Sequence, residues 1–228
     1  MFNRIKKNLD EKGYHTGIVS EFYSDMDRYY EAAREVRTTV YKHTLRNNGL
    51  VYTSCIHGPK GNLYPREIKY NEKVERQRLI EDNHFIIDQQ WTFFGNELLN
   101  FYTSITEDLL FFLYPDLKSN NIKHNKRFTL YEDGDFTDVH IDGLDHRRKC
   151  AILLYLSDAE DYKDGGGKLL LTKFNSGEVS GEVLPVFPNY IIIDIEKHQL
   201  YHGVEKVKNG FKRFAFLDFV SNEDLSLE

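Results

Sequence analysis

The chain has 228 residues, of which 40% are hydrophobic, 29% charged and 14% aromatic, a composition that suits one compact globular domain and excludes a disordered or collagen-like chain. Thirty-six Asp+Glu against thirty Lys+Arg leave a formal net charge of −6, so neither a phosphate-neutralising basic surface nor a nucleic-acid partner is expected. There is no run of about 18 apolar residues for a membrane span and no apolar signal core at the start. The two cysteines, Cys55 and Cys150, make no disulfide framework, which together with these absences points to the cytoplasm.

No repeat, low-complexity tract or linker divides the sequence, so residues 1–228 are expected to fold as one domain. Its 1–125 part reads as mainly helical support and loops, and its 126–228 part as a β-rich core. Met26, Tyr29, Tyr30, Ala33, Val36 and Val40 recur at helical spacing. They predict a helix that starts at an N-cap near Ser24 and stops at Asn47-Asn48-Gly49. Arg37 interrupts the stripe and is expected to snorkel into water. The polar stretch 49–90 reads as loops with one helix at 71–80. A second strong helix starts near Asn96, carries Leu98, Phe101, Tyr102, Ile105, Leu109 and Phe112 on one face, and ends before Pro115. The aromatic group Trp91, Phe93, Phe94, Phe101, Tyr102, Phe111 and Phe112 reads as core.

From Lys126 onward the period falls to two. Strands are expected at 127–132, 137–142, 148–157, 168–173, 180–186, 190–195, 200–207 and 212–220, with Gly134, Gly143, Gly165-Gly166-Gly167, Gly177 and Asn209-Gly210 supplying turns. Short strands at this density suggest an α+β fold: a double-stranded β-helix, or jelly roll, buttressed by the helices of the N-terminal half.

Within this region His140-Ile141-Asp142 places an imidazole and a carboxylate on one side of a strand. Chance alone supplies roughly 0.7 such triplets in a chain of this composition, so the motif needs company. His202 provides it, in a strand some sixty residues on. Two histidines and one carboxylate on neighbouring barrel strands form the facial triad that leaves open positions on non-haem Fe(II). Arg213 follows at the head of an apolar strand. A guanidinium inside a sandwich needs a partner, and its fork suits a carboxylate. Lys212 is the alternative anchor, although strand parity groups Arg213 with Ala215, Leu217 and Phe219 on one face.

The ordered set Tyr131-Glu-Asp-Gly134, His140-Ile-Asp142, Arg148, Leu154-Tyr-Leu-Ser157, Gly165-Gly-Gly-Lys-Leu169, Pro188, His202-Gly-Val204, Gly210 and Arg213 resembles the Fe(II)/2-oxoglutarate-dependent dioxygenase superfamily, its prolyl 4-hydroxylase branch above all. The resemblance covers residues 128–220. It implies Fe(2+) held by His140, Asp142 and His202, and 2-oxoglutarate as co-substrate with its distal carboxylate on Arg213 and Tyr155. Tyr131 would line the pocket, and ascorbate is admitted as a reductant. His140, Asp142, His202 and Arg213 would be the catalytic set, and residues 126–228 the catalytic core. Halogenating relatives are similar but carry a small residue in place of the carboxylate, so Asp142 implies hydroxylation.

The implied reaction hydroxylates an unactivated C–H of an amino acid, free or peptide-bound, with proline or a basic residue as leading substrates. 2-Oxoglutarate and O2 are converted to succinate and CO2. A tailoring hydroxylase of a small natural product is the alternative, and a non-catalytic jelly-roll binding protein is the alternative of another class. The partners expected are thus O2 and a small-molecule or peptide substrate; the sequence sets no oligomeric state. Asp145, His146 and Arg148 are candidate substrate contacts. His198 reads as structural or as pocket rim, the acidic run Glu132, Asp133, Asp135 and Asp138 as a solvated hairpin, and both cysteines as inert.

Overall fold

The N-terminal third supplies a helical layer whose buried faces are set by a handful of apolar side chains. In the computed structural model, which describes residues 1–43, 50–57, 63–65, 85–93, 97–117, 122–142, 148–173, 178–198 and 200–222, helix α1 (Phe2–Lys12) buries Ile5 and Leu9 and stops at the left-handed Gly13. It leads into β1 (Tyr14–Ile18) and a 3-10 turn, Val19–Glu21. Neither α1 nor β1 is signalled by strong periodicity. Helix α2 (Met26–His43) is capped by Asp25 and not by Ser24, because the Asp25 Oδ1 accepts the Arg28 N–H at 3.1 Å. Tyr29, Ala33 and Val36 are buried as expected, whereas Tyr30 is 40% exposed.

Arg37 does not snorkel: its Nη1 donates to the Leu156 carbonyl and its Nη2 lies 3.5 Å from Asp158. The helix lies over a sheet end, so a backbone oxygen and a carboxylate take the place of water. Helix α3 (Glu97–Leu113) buries Leu99, Tyr102, Ile105, Thr106, Leu109, Leu110 and Leu113. Its buried face is rotated from the predicted stripe, leaving Phe112 39% exposed beside Phe2 of α1, with ring centroids 5.3 Å apart.

The stretch expected to be loops contains three strands, β2 (Leu50–His57), β3 (Leu63–Pro65) and β4 (Phe85–Phe93). The helix expected at 71–80 lies outside the described residues. The β-rich region then runs β5 (Ile122–Tyr131), β6 (Phe136–His140), β7 (Arg148–Tyr155), β8 (Leu169–Thr172), β9 (Val179–Val183), β10 (Asn189–Asp194), β11 (Tyr201–Val204) and β12 (Arg213–Asn222). All eight expected strands are present, and β5 starts before the expected boundary at Lys126.

The strands hydrogen-bond in the order β1-β10-β7-β12-β5-β4-β6-β11-β8-β9, with β2 pairing β3 and β4. Among the described strands every pairing is antiparallel. One wall is β1-β10-β7-β12-β5 and the facing wall is β6-β11-β8-β9. Strand β4 bridges them, pairing β5 through Trp91–Phe93 and β6 through Ile87 and Asp88.

Strand β12 explains the two cores. Its even residues Phe214, Phe216 and Val220 join the helical layer, where Tyr102 of α3 stacks on Phe216 at 5.4 Å. Its odd residues Ala215, Leu217 and Phe219 join the barrel interior with Tyr155, Leu171, Ile191 and Val204. Each such large apolar side chain contributes about 1.5–3 kcal/mol when fully buried. Eight consecutive buried residues from Arg213 to Val220 therefore mark a strand covered on both faces. The result is an α+β fold with helices packed behind one wall of a jelly roll. Among the described residues no helix is long and apolar enough to cross a membrane.

Candidate active site

The last residue of β6, His140, faces His202 of β11 directly across an antiparallel pairing. Close approach of the two strands is possible because residue 203 is glycine: a Cβ there would sit 3.0 Å from the Thr137 carbonyl oxygen and 3.0 Å from the Val139 nitrogen. Asp142 follows just beyond the end of β6. Its Oδ1 is 3.4 Å from His140 Nε2 and its Oδ2 is 3.1 Å from His202 Nε2, while the two imidazole centroids are 4.5 Å apart. One ligand atom from each of the three residues lies within 4.8 Å of the others.

Backbone carbonyls set the histidine tautomers. His140 Nδ1 is 2.8 Å from the Asp138 carbonyl oxygen and His202 Nδ1 is 3.1 Å from that of Leu200. A carbonyl only accepts, so each Nδ1 carries the proton and each Nε2 is the lone-pair nitrogen. Two such nitrogens and a carboxylate converging at this range form a set that could hold a metal ion. Burial works against the Asp142 charge, but the His202 and His140 imidazoles outweigh it and hold its pKa well below the usual carboxylate range. Burial and the neighbouring His202 push His140 down to about 4. For His202, burial is outweighed by the Asp142 carboxylate, and its pKa rises.

Arg213, at the head of β12, is 1% exposed. Its Nε donates to the Gly167 carbonyl at 2.8 Å, and its guanidinium carbon lies 4.9 Å from the Tyr131 ring centre and 5.2 Å from that of Tyr155. Among the described residues its Nη2 and the Tyr155 hydroxyl are both buried without a hydrogen bond of good geometry, although the two side chains lie against each other. Gly167 has φ 69°, and a Cβ there would lie 3.1 Å from Arg213 Cδ. That close approach gives Gly167, the last residue of the Gly165-Gly166-Gly167 run, its physical reason. Ser157 fixes the backbone on both sides of Arg213, accepting the Phe214 N–H and donating to the Lys212 carbonyl, each at 2.8 Å. Lys212 turns outward, 37% exposed and 3.8 Å from Glu132.

The remaining sequence candidates divide clearly. Tyr131 is buried, with its hydroxyl 2.7 Å from Thr137 Oγ1. Arg148 donates from Nη1 to the Asp142 carbonyl at 3.0 Å. Asp145 and His146 lie outside the described residues. His198 lines a small recess with Asp142, Ile193, Leu200 and His202, and it packs so closely on Gly13 that a Cβ there would meet its own Cβ at 2.6 Å. The acidic hairpin is not uniformly solvated: Asp135 and Asp138 are buried, and Asp135 Oδ2 accepts the Glu132 N–H at 2.7 Å. Cys150 is buried and free, with burial pushing its thiol pKa well up, consistent with inertness. Sequence reasoning missed Ser157 as the brace of Arg213 and Arg127 as a basic residue of the interior face; an arginine at a strand position of inward parity was the available signal.

Residues 127–221 match the model of the 2OG-Fe(II) oxygenase superfamily. No curated protein matches the chain. Among solved structures, the chain is similar to a prolyl-4-hydroxylase from Pseudomonas putida, with 16% identity, a TM-score of 0.64 and coverage of 97% of this chain and 98% of the other. It is similar also to a prolyl hydroxylase from Trichoplax adhaerens in complex with a peptide fragment of the hypoxia inducible factor oxygen degradation domain, with 18% identity, a TM-score of 0.66 and coverage of 100% and 93%. A third is a viral collagen prolyl hydroxylase from Paramecium bursaria Chlorella virus-1 in its 2OG complex, at 14% identity, TM-score 0.54 and coverage of 93% and 97%. Identities at this level speak for the fold, and the match over 127–221 speaks for the family that uses Fe(II) and 2-oxoglutarate. That segment, which holds the triad, Tyr155 and Arg213, is thus similar to the 2OG-Fe(II) oxygenase superfamily, and the fold is similar to that of solved prolyl hydroxylases.

Proposed function

We propose that the protein hydroxylates an unactivated C–H of an amino acid, free or peptide-bound, with His140, Asp142 and His202 as iron ligands. In this reading Arg213 and Tyr155 hold the distal carboxylate of 2-oxoglutarate. The observation that carries the reading is the pair of unsatisfied buried groups, Arg213 Nη2 and Tyr155 Oη, beside a convergent two-histidine, one-carboxylate set. Unpaired buried donors are costly and rare, and a carboxylate between them satisfies both. The bound iron and 2-oxoglutarate supply the activation of dioxygen, with succinate and CO2 as co-products.

The protein's own part is placement. Nδ1–H bonds to Asp138 and Leu200 keep both Nε2 atoms aimed at one point, and Asp142 neutralises one of the two charges of the metal. Gly167 and Ser157 fix Arg213 so that the co-substrate has a single pose. The Tyr131–Thr137 hydroxyl pair and the apolar interior residues exclude bulk water. Proline, in a peptide or free, is the first substrate to test, because the similar Trichoplax adhaerens protein was solved with a peptide fragment.

The decisive test needs no substrate. Fe(II) and then 2-oxoglutarate are added to the metal-free protein without oxygen, and the visible metal-to-ligand charge-transfer band of the chelate is recorded. The band is expected in the wild type, lost in His202→Ala and weakened in Arg213→Ala. A well-folded protein that gives no band overturns the assignment and leaves a jelly-roll binding protein.

A further inference from the structure

Two more guanidinium groups face the interior of the jelly roll, and the proposed reaction uses neither. Arg127 of β5 and Arg148 at the start of β7 lie over the same ring, Phe219 of β12, with their guanidinium carbons 5.1 Å and 4.3 Å from its centre. Arg148 is tied beside the triad by its 3.0 Å bond to the Asp142 carbonyl. Among the described residues the hydrogen bonding of Arg127 is limited to one long bond, from Nη1 to Asn125 Oδ1 at 3.4 Å. Among the described residues neither arginine has a carboxylate side chain within ion-pair distance. Burial and the Arg148 charge lower the pKa of Arg127, and Asp142 opposes the shift, so the two cations and the triad sense one another.

Two half-buried cations held against one aromatic ring repel each other, and an anion bound by both relieves the repulsion. Their place along the barrel says which anion. Arg127 pairs with Leu217 while Tyr131, beside Arg213, pairs with Arg213 itself. The two anion-binding levels are thus four residues apart on one strand, about 13 Å at roughly 3.3 Å per residue. A five-carbon diacid, whose extended length is roughly half of that, is accounted for at the Arg213 end. The Phe219 ring that both guanidinium groups touch offers a flat apolar surface for the stem that bears the second anion.

We propose that Arg127 and Arg148 form a clamp for a carboxylate of the substrate, so that the reaction takes an acid-bearing substrate and disfavours one whose basic side chain enters there. The carboxylate is the free end of a small acid or an acidic residue within a peptide. This inference rests on the oxygenase reading of the same site, and the experiment separates the two.

The full-length chain is labelled with 15N-arginine, loaded with Zn(II) as a diamagnetic stand-in for Fe(II), and followed through its arginine Nε–H signals. Arg127→Gln, Arg148→Gln and Arg213→Gln each delete one signal and so assign it. Addition of 2-oxoglutarate is expected to move the Arg213 signal; if it does not, the co-substrate reading fails whatever the clamp does. With 2-oxoglutarate saturating, acetate is expected to move the Arg127 and Arg148 signals saturably, and acetamide to leave them in place. Arg127→Gln and Arg148→Gln should each weaken acetate binding by at least about tenfold, with Arg127→Lys retaining part of it. N-acetylglycine against acetyl-Gly-Asp-Gly-amide then distinguishes a chain-end carboxylate from a side-chain one. The clamp is overturned if acetate gives no saturable shift, if acetamide acts equally, or if 2-oxoglutarate alone saturates both signals.

Discussion

Replacing Arg213 by methionine separates what this residue does for the fold from what it does for the co-substrate. The guanidinium is 1% exposed, with one hydrogen bond to Gly167 and two tyrosine rings beside it. Removing an ion from water costs several kcal/mol even after relaxation. Against this stand one charge-assisted hydrogen bond, about 1.5–3 kcal/mol, and two desolvated cation–π contacts, about 1–2 kcal/mol each. These contributions roughly cancel. Methionine fills similar space and leaves the Gly167 carbonyl without its donor, about 1–3 kcal/mol. The expected net change in the protein without 2-oxoglutarate is no more than about 2 kcal/mol, a Tm shift of about 4–8 °C for a chain of this size. Phe216→Ala, which removes a fully buried ring stacked on Tyr102, serves as a benchmark at about 3–5 kcal/mol. Adding 2-oxoglutarate to the Fe(II)-loaded wild type at about 100 times its Kd stabilises by about 2.7 kcal/mol, and Arg213→Met is expected to show almost none of this. Differential scanning calorimetry of the three proteins, with and without 2-oxoglutarate, reads both quantities. A loss as large as that of Phe216→Ala would make Arg213 a structural residue, and a retained response to 2-oxoglutarate would refute its assignment as anchor.

Lys212→Ala should leave the 2-oxoglutarate-dependent rise in Tm intact and change basal stability by no more than about 1 kcal/mol, since its ion pair with Glu132 is exposed; loss of the rise would hand the anchor role to Lys212. Gly167→Ala forces a side chain into φ 69° and against Arg213, at about 1–3 kcal/mol, and calorimetry should show a larger fractional loss of the 2-oxoglutarate response than of basal stability. Acid should loosen the N-terminal layer first. Burial lowers the pKa of His15, and the Glu21 carboxyl is lowered too, its burial outweighed by bonds from His15, Tyr190 and Arg4. Both groups bind protons more readily when unfolded, so their stabilisation is present above the ordinary values of 6.5 and 4.5 and is lost as pH falls through them. The protection of the α1 amides, measured relative to their intrinsic exchange rates, should therefore fall below pH 6.5 in the wild type, and an unchanged protection profile in His15→Gln would contradict the assignment.

The triad and the jelly roll were legible because strand parity is a strict code. His140-Ile-Asp142 and the odd residues of β12 place chemistry on one face whatever the rest of the chain does. What stayed hidden depends on partners distant in sequence. Strand β1, Tyr14-His-Thr-Gly-Ile, lacks an apolar alternation of its own and is a strand because β10 offers it an edge. Strand β4 is interrupted by Asp88-Gln89-Gln90 and carries an extra residue, Gln89, opposite the Thr53–Ser54 step of β2, which breaks the period that sequence reading relies on. Arg37 looked like a surface residue because its partners, the Leu156 carbonyl and Asp158, are more than a hundred residues away. The two arginines over Phe219 were equally silent, since three strands have to be assembled before Arg127 and Arg148 reach the same ring.

The double burial of β12 also makes the barrel mechanically lopsided. Strands β5, β7, β10 and β12 are bolted from behind by the aromatic layer that joins Tyr102, Phe128 and Phe216, so the jaw that bears Arg213 and Tyr155 is held still. Strands β6, β8, β9 and β11 contribute no described residue to that layer. Any breathing that lets a bulky molecule in or a product out thus falls to the thinner jaw, and His140 and His202 ride on it. Under the proposed function, opening would carry both imidazoles away from Arg213 and Tyr155, so that release of product would go with a looser metal site.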